Sequence, residues 1–328
     1  VLYRFSRAAR AGPGQQSDAA EDPGQRESTT PPVGILITFG AYTHTVSMQS
    51  VVGKEGTTRR VPQWRRAMKS NSAYTEPILD WYEKNARDLP WRAPDATPWG
   101  ILVSEIMLQQ TPVSRVLPVW RVWMNRWPTP AALAAEPSGE AVRAWGRLGY
   151  PRRALRLHET ARAITERHRG EVPSSHADLL ALPGIGAYTA AAVASFAFGQ
   201  RHAVLDTNVR RVLARLISGE EYPPRSQTKA EVKRAESLLP LDPPTAARWA
   251  VAVMELGALV CTARTPRCVD CPVFATCAWQ LAGRPAYDGP PRRGQTYAGT
   301  DRQCRGRLLA VLRDADGPVE KAALDVVW

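Results

Sequence analysis

The chain has 328 residues, with 43 lysines and arginines against 31 acidic residues and a formal net charge of +12. That balance suits an acidic partner, because each basic side chain that neutralises a phosphate releases counterions. No apolar run approaches the ~20 residues of a membrane span, VGILITF at 33–39 being too short, so no membrane partner is expected, and the length allows one large domain or two modest ones.

Residues 1–73 combine GPGQQSDAAEDPGQRESTTPP with a short apolar stretch and a basic tail, KEGTTRRVPQWRR. Without helical periodicity they are expected to form a disordered extension. From Tyr74 onward apolar residues recur at spacings of three and four in ILDWYEKNA, GILVSEIMLQQ, VSRVLPVWRVWMNRW, ALRLHETARAITERH, YTAAAVASFAF, NVRRVLARLI and WAVAVMELGALV. No sustained alternation argues for strands, so the pattern predicts an all-α chain. Helix starts are signalled at Thr129-Pro130, at Ser138, and at Ser175 with Asp178 three positions later. The tail DRQCRGRLLAVLRDADGPVEKAALDVVW reads as a helix, a turn and the start of another helix.

Three features carry chemistry. Leu182-Pro183-Gly184-Ile185-Gly186 separates ADLLAL from a helix starting near Tyr188. Gly184 and Gly186 would let backbone N–H groups meet a phosphate at a helix N-terminus, although an ordinary glycine-rich connection fits the same residues. Cys261, Cys268, Cys271 and Cys277 form a C-x6-C-x2-C-x5-C array. Soft thiolates on that spacing favour a [4Fe-4S] cluster, with zinc the next reading because only one C-x2-C knuckle is present, and disulfides last. Cys304 is outside the array. The third feature is a pair of carboxylates. Glu105 lies in an otherwise apolar helix, where desolvation would keep it protonated and fit to donate a proton, unless it occupies a solvated face beside Ser104 and Gln109. Asp206 stands at a helix start, where the helix dipole favours its ionised form and an N-cap is the simpler role.

LPGIGAYTA, then VLDTNVRRVLAR, then the four-cysteine array resemble the DNA glycosylase superfamily that includes endonuclease III. LPWR at 89–92, VSEIMLQQTP at 103–112 and RLGY at 147–150 resemble, within it, the MutY-type adenine DNA glycosylases, which act on adenine opposite 8-oxoguanine. The resemblance runs from about Leu79 to about Trp279. It implies a two-lobed helix-hairpin-helix fold binding duplex DNA across its cleft. A six-helix barrel would occupy 98–206, a cluster-bearing lobe 74–97 and 207–280, and a linker with a partial C-terminal module 281–328, whose tail is similar to the opening of a winged helix.

The same resemblance makes Glu105 the proton donor and Asp206 the carboxylate that stabilises the sugar cation, with Tyr188 and Asn208 as active-site partners. Bifunctional relatives carry a Schiff-base lysine at the Tyr188 position, so a monofunctional enzyme is implied. Gln110, Thr111 and Tyr150 match residues that enter the base stack around the damaged pair, and the cluster would hold Arg264 and Arg267 against phosphate. A monomer in the bacterial cytoplasm, associated with the nucleoid, is implied. Pro151 and Thr207 depart from the usual second aromatic and glycine. Many members also carry a C-terminal Nudix-related domain, for which the residues after Cys277 are too few. A thymine or uracil mismatch glycosylase of the same fold, and a non-catalytic DNA-binding protein, are the alternatives.

Overall fold

A computed structural model describes residues 72–290, 296–315 and 317–328. The expected extension lies outside these residues, except that Ser72 and Ala73 already belong to the first helix, two residues before the apolar periodicity begins. Among the described residues the fold is all helical, with no strand, and no helix is long and apolar enough to cross a membrane.

The helices are α1 (Ser72–Asn85), α2 (Pro98–Leu108), α3 (Val113–Arg126), α4 (Pro130–Ala134), α5 (Ser138–Trp145), α6 (Arg152–Arg167) and α7 (His176–Ala181), followed by α8 (Ala187–Phe198), α9 (Thr207–Leu213), α10 (Lys229–Leu238), α11 (Pro243–Leu259), α12 (Ala278–Leu281), α13 (Asp301–Asp314) and α14 (Lys321–Asp325). Local chemistry sets several starts. Thr97, Thr129 and Asp242 each accept a hydrogen bond from a first-turn N–H, with proline at the next position, whose fixed φ suits the first helical residue. Thr228 and Glu231 close a capping box on α10. At α5 the expected start is correct, but Ser138 is the first helical residue and caps nothing; Pro137 precedes it.

Two apolar cores form within this part of the chain. The first gathers Leu102, Met107, Leu133, Leu157, Leu179 and Val193 around Trp123, Trp127 and Trp145, which meet edge to face. Each of these rings is almost wholly buried, so truncating Trp123 to alanine would cost about 3–5 kcal/mol. The second joins Ile78 of α1 to Val209, Leu213, Trp249, Val253, Leu256 and Trp279. A small-residue patch of Ala191, Ala192, Val204 and Ala250 lies between α8 and α11. Small side chains at these four positions let the two helices pack against each other, with Tyr188, Phe196 and Met254 alongside, and residues of both cores face one cavity of about 1130 Å³. The tail forms the expected helix, turn and helix as α13 and α14. Arg143 of α5 donates to the Arg313 and Ala315 carbonyls at the end of α13, and Arg313 returns a bond to the Val142 carbonyl.

Candidate active site

Glu105 lies on α2, whose residues from Trp99 to Met107 are all buried. A solvated face is therefore ruled out: Glu105 is 5% exposed, and Ser104 beside it satisfies its hydroxyl on the Ile101 carbonyl at 2.7 Å. The Tyr188 hydroxyl, from the first turn of α8, donates to Glu105 Oε2 at 2.9 Å. Burial raises the Glu105 carboxyl to about 7; the tyrosine hydrogen bond and the charge of Arg92 oppose that rise, and the charge of Asp206 adds to it. Burial also lifts the Tyr188 phenol well above its ordinary range, so it remains a neutral donor.

Asp206 is the N-cap of α9. Its Oδ1 accepts from the Val209 N–H at 2.6 Å and its Oδ2 from Asn208 Nδ2 at 2.8 Å. Arg211, one turn on, donates to Asn208 Oδ1 at 2.9 Å and to the Gly257 carbonyl of α11 at 2.7 Å, so the amide is held between a cation and a carboxylate. The expectation that the helix start would depress the Asp206 pKa is overturned. Burial outweighs the hydrogen bonds and the Arg211 charge, and the carboxyl is raised above its ordinary value. Thr207 begins α9 without disturbing the cap.

The hairpin joins α7 to α8, with Leu182 and Ile185 buried as anchors. Gly184 is required twice, by its φ of +77° and because a Cβ there would stand 2.8 Å from the Arg156 Cβ. Gly186, at the N-cap of α8, has ordinary φ and open space around its Cβ position, so no contact within the chain demands it. Gln110 and Thr111 follow α2 and line the same cavity. Tyr150 is 44% exposed and is not among that cavity's lining residues; its hydroxyl accepts from Arg302 of α13 at 3.2 Å.

The cysteines border the second core. Cys277 is buried, Cys261, Cys268 and Cys271 are half-buried, and none of the four is in a disulfide. Arg215, in a π-helical turn at Ala214–Ser218, is almost wholly buried and directs Nη1 to Cys261 Sγ at 3.4 Å and to the Thr262 carbonyl at 2.7 Å. Burial pushes the Cys271 thiol up to about 12, and charge on Cys261, Cys277 and Cys268 pushes it the same way. Among the described residues no three His, Cys, Asp or Glu side chains are placed to share one metal ion. Arg264 and Arg267 are exposed, the latter paired with Asp270 at 3.7 Å and bound to the Leu259 carbonyl.

One cavity thus brings together Glu105, Tyr188, Asp206, Asn208, Gln110, Thr111, Gly184 and Gly186, while the cysteines, Arg264, Arg267 and Tyr150 lie outside its lining. Sequence reasoning missed Arg211, Arg153 and Glu255. The signal for the third was present: Glu255, like Glu105, is a lone carboxylate in an apolar helix. It is not proton-poised, because Arg87 and Arg92 pair with it at 2.7 and 3.0 Å and hold it down at about 2.

Residues 103–237 match the HhH-GPD superfamily base excision DNA repair proteins. The adenine DNA glycosylase of Mycobacterium tuberculosis (strain H37Rv) is 56% identical over 251 residues, covering 76% of this chain and 82% of the relative. The structure of a thermostable thymine-DNA glycosylase superimposes with a TM-score of 0.59 at 29% identity, covering 65% of this chain and 97% of that one. A trapped endonuclease III–DNA covalent intermediate does so at 0.56 and 21% identity over 68% of this chain and 99% of that one, a likeness of fold alone. The chain belongs to the adenine DNA glycosylase family of HhH-GPD base excision DNA repair proteins.

Proposed function

We propose that this enzyme removes adenine mispaired with 8-oxoguanine, or with guanine, from duplex DNA by hydrolysing its N-glycosidic bond. The observation that carries the reading is a buried carboxyl, Glu105, raised to about 7 and hydrogen-bonded to Tyr188, in the same cavity as a second carboxylate, Asp206. Adenine is a poor leaving group, so C1′–N9 cleavage needs a proton on the base as the bonding pair departs with it. Glu105 supplies that proton. The positive charge left on the sugar develops beside Asp206, whose position is set by the Val209 N–H and Asn208, and that charge draws Asp206 toward its ionised form. Water then adds at C1′ and loses a proton, leaving an abasic site. Tyr188 has no amine with which to form a Schiff base, so strand cleavage is weak or absent. The 56% identity to adenine glycosylases, against 29% to the thymine glycosylase, favours adenine over the pyrimidine alternative.

The two cores correspond on this reading to a barrel lobe and a cluster lobe, with DNA bound between Gly184 and Gly186 of the hairpin and Arg264 and Arg267. The four thiols fit a [4Fe-4S] cluster. Burial and then charge on the neighbouring cysteines raise the Cys271 and Cys277 thiols, which ionise more readily with a cationic group among them, and Arg215 Nη1 reaches Cys261 Sγ at 3.4 Å. Cys261, Cys268, Cys271 and Cys277 would hold it. When bound, the cluster would supply structural rigidity to the 261–277 loop and so present Arg264 and Arg267 to phosphate. Gln110, Thr111 and Tyr150 would fill the stack around the base opposite adenine. A monomer working on the nucleoid in the bacterial cytoplasm completes the proposal. The test is a single-turnover glycosylase assay on duplexes with adenine opposite 8-oxoguanine, guanine and thymine, with borohydride trapping in parallel. Release of adenine from the first two without a trapped adduct is expected; thymine or uracil release instead would overturn the reading.

A further inference from the structure

Arg153, the second residue of α6, is 8% exposed and has no carboxylate partner among the described residues. Its two terminal nitrogens bond main-chain oxygens and one hydroxyl of two separate turns, while its buried Nε has no partner. Nη1 fans across the carbonyls of Ile106, Met107 and Gln109 at 2.8, 3.1 and 2.5 Å, at the end of α2, where helical carbonyls lack intrahelical partners. Nη2 reaches Thr111 Oγ1 at 3.0 Å and the Gly149 carbonyl at 3.2 Å. Trp145 Nε1 also donates to that Gly149 carbonyl, at 2.9 Å, and the guanidinium lies over the rings of Trp145 and Tyr150.

Both turns are strained. Gln110 has φ +55° and Tyr150 φ +48°, left-handed conformations that non-glycine residues adopt only when their surroundings dictate them. Gly149 between Leu148 and Tyr150 has φ +83°. Burying a cation without a counter-charge is costly enough to bring the Arg153 pKa down to about 10, yet an apolar side chain of the same size would leave several buried carbonyls unpaired. A clamp across both turns explains why a cation is retained here.

We infer that Arg153 is a positioning residue that locks the 109–111 and 148–150 turns into one rigid edge, setting discrimination for the base opposite adenine rather than the excision chemistry. This rests on the reading above that Gln110, Thr111 and Tyr150 face the damaged pair. Full-length Arg153→Lys and Arg153→Met would be compared with the parent in single-turnover rate on adenine opposite 8-oxoguanine and opposite guanine, and in melting temperature. Lysine keeps the charge but cannot span both turns, so the ratio of the two rates should fall about tenfold in either variant, less than the roughly hundredfold that an ångström of misplacement can cost. If Arg153→Met does not fold, Gly149→Ala, which has room for its Cβ but a backbone disfavouring it, should lower the ratio by disturbing the second turn alone. An unchanged ratio in Arg153→Lys and Gly149→Ala overturns the inference, as does an equal loss on both duplexes that tracks the melting temperature. Tyr150→Ala and Gln110→Ala separate the two levels: if they leave the ratio unchanged, the reading of this edge fails and takes the inference with it; if they lower it and Arg153→Lys does not, only the inference fails.

Discussion

Gly257 of α11 abuts Asn208 of α9 so closely that a Cβ on the glycine would stand 2.8 Å from the asparagine Cβ and 3.0 Å from its carbonyl oxygen. Because one of those atoms is backbone, no rotamer change relieves the clash. Gly257→Ala should therefore push α9 away from α11 and loosen the 2.8 Å bond from Asn208 to Asp206. The expected result is a loss of about 1–3 kcal/mol of stability, as for overpacking elsewhere, and at least a tenfold lower single-turnover rate. A thermal melt and a rate measurement with enzyme in excess check both.

The pH dependence follows from Glu105. The acid is in its protonated form below about 7, so adenine release should decline as pH rises through that value. Glu105→Gln should lose about two to four orders of magnitude in rate with duplex affinity retained, and the alkaline limb should vanish with the acid. Stability has the same sign. A carboxyl whose folded pKa is raised from 4.5 to about 7 contributes fully below 4.5 and loses that contribution as pH rises through 7. Melting curves at pH 5 and 8 should then show the parent losing more ground than Glu105→Gln.

Asp206 both caps a helix and bears charge, and two substitutions separate these roles. Asparagine caps as well as aspartate, so Asp206→Asn should melt near the parent while the chemical step fails for want of negative charge beside the sugar cation. Asp206→Ala should add a stability loss of about 1 kcal/mol from the missing cap. Equal activity in Asp206→Asn and the parent would reduce Asp206 to a cap.

Glu255 is expected to matter for folding only. Glu255→Gln leaves Arg87 and Arg92 without their counter-charge, and about 3–5 kcal/mol should be lost, less whatever solvent restores at the half-exposed Arg87. Here the folded pKa is depressed, to about 2, so the contribution is present above the ordinary carboxylate range and disappears as pH falls through 2. Acid titration of the parent and the variant, followed by circular dichroism, measures the difference.

The purified protein should be brown, and serine at Cys261, Cys268, Cys271 or Cys277 should bleach it and weaken DNA binding. Cys304→Ser should do neither. Visible absorption with iron and zinc analysis decides the matter: a colourless protein carrying one zinc would exclude the cluster.

Several things were legible in the chain alone. The helical period of its apolar residues determined an all-α fold, since only a helix buries a face repeating at three and four. Turn and cap chemistry marked Gly184 and the starts at Thr129 and Asp206, because those signals act within a few residues. What the tertiary structure decided depends on residues distant in sequence. Glu105 and Glu255 look alike locally, each a carboxylate in an apolar helix, but one meets a phenol and the other two guanidinium groups from 163 and 168 positions away, so one is held near 7 and the other near 2. Asp206 likewise sits at a helix start that favours ionisation, yet burial overrides it, because desolvation is set by everything packed around a group rather than by its neighbours in the chain.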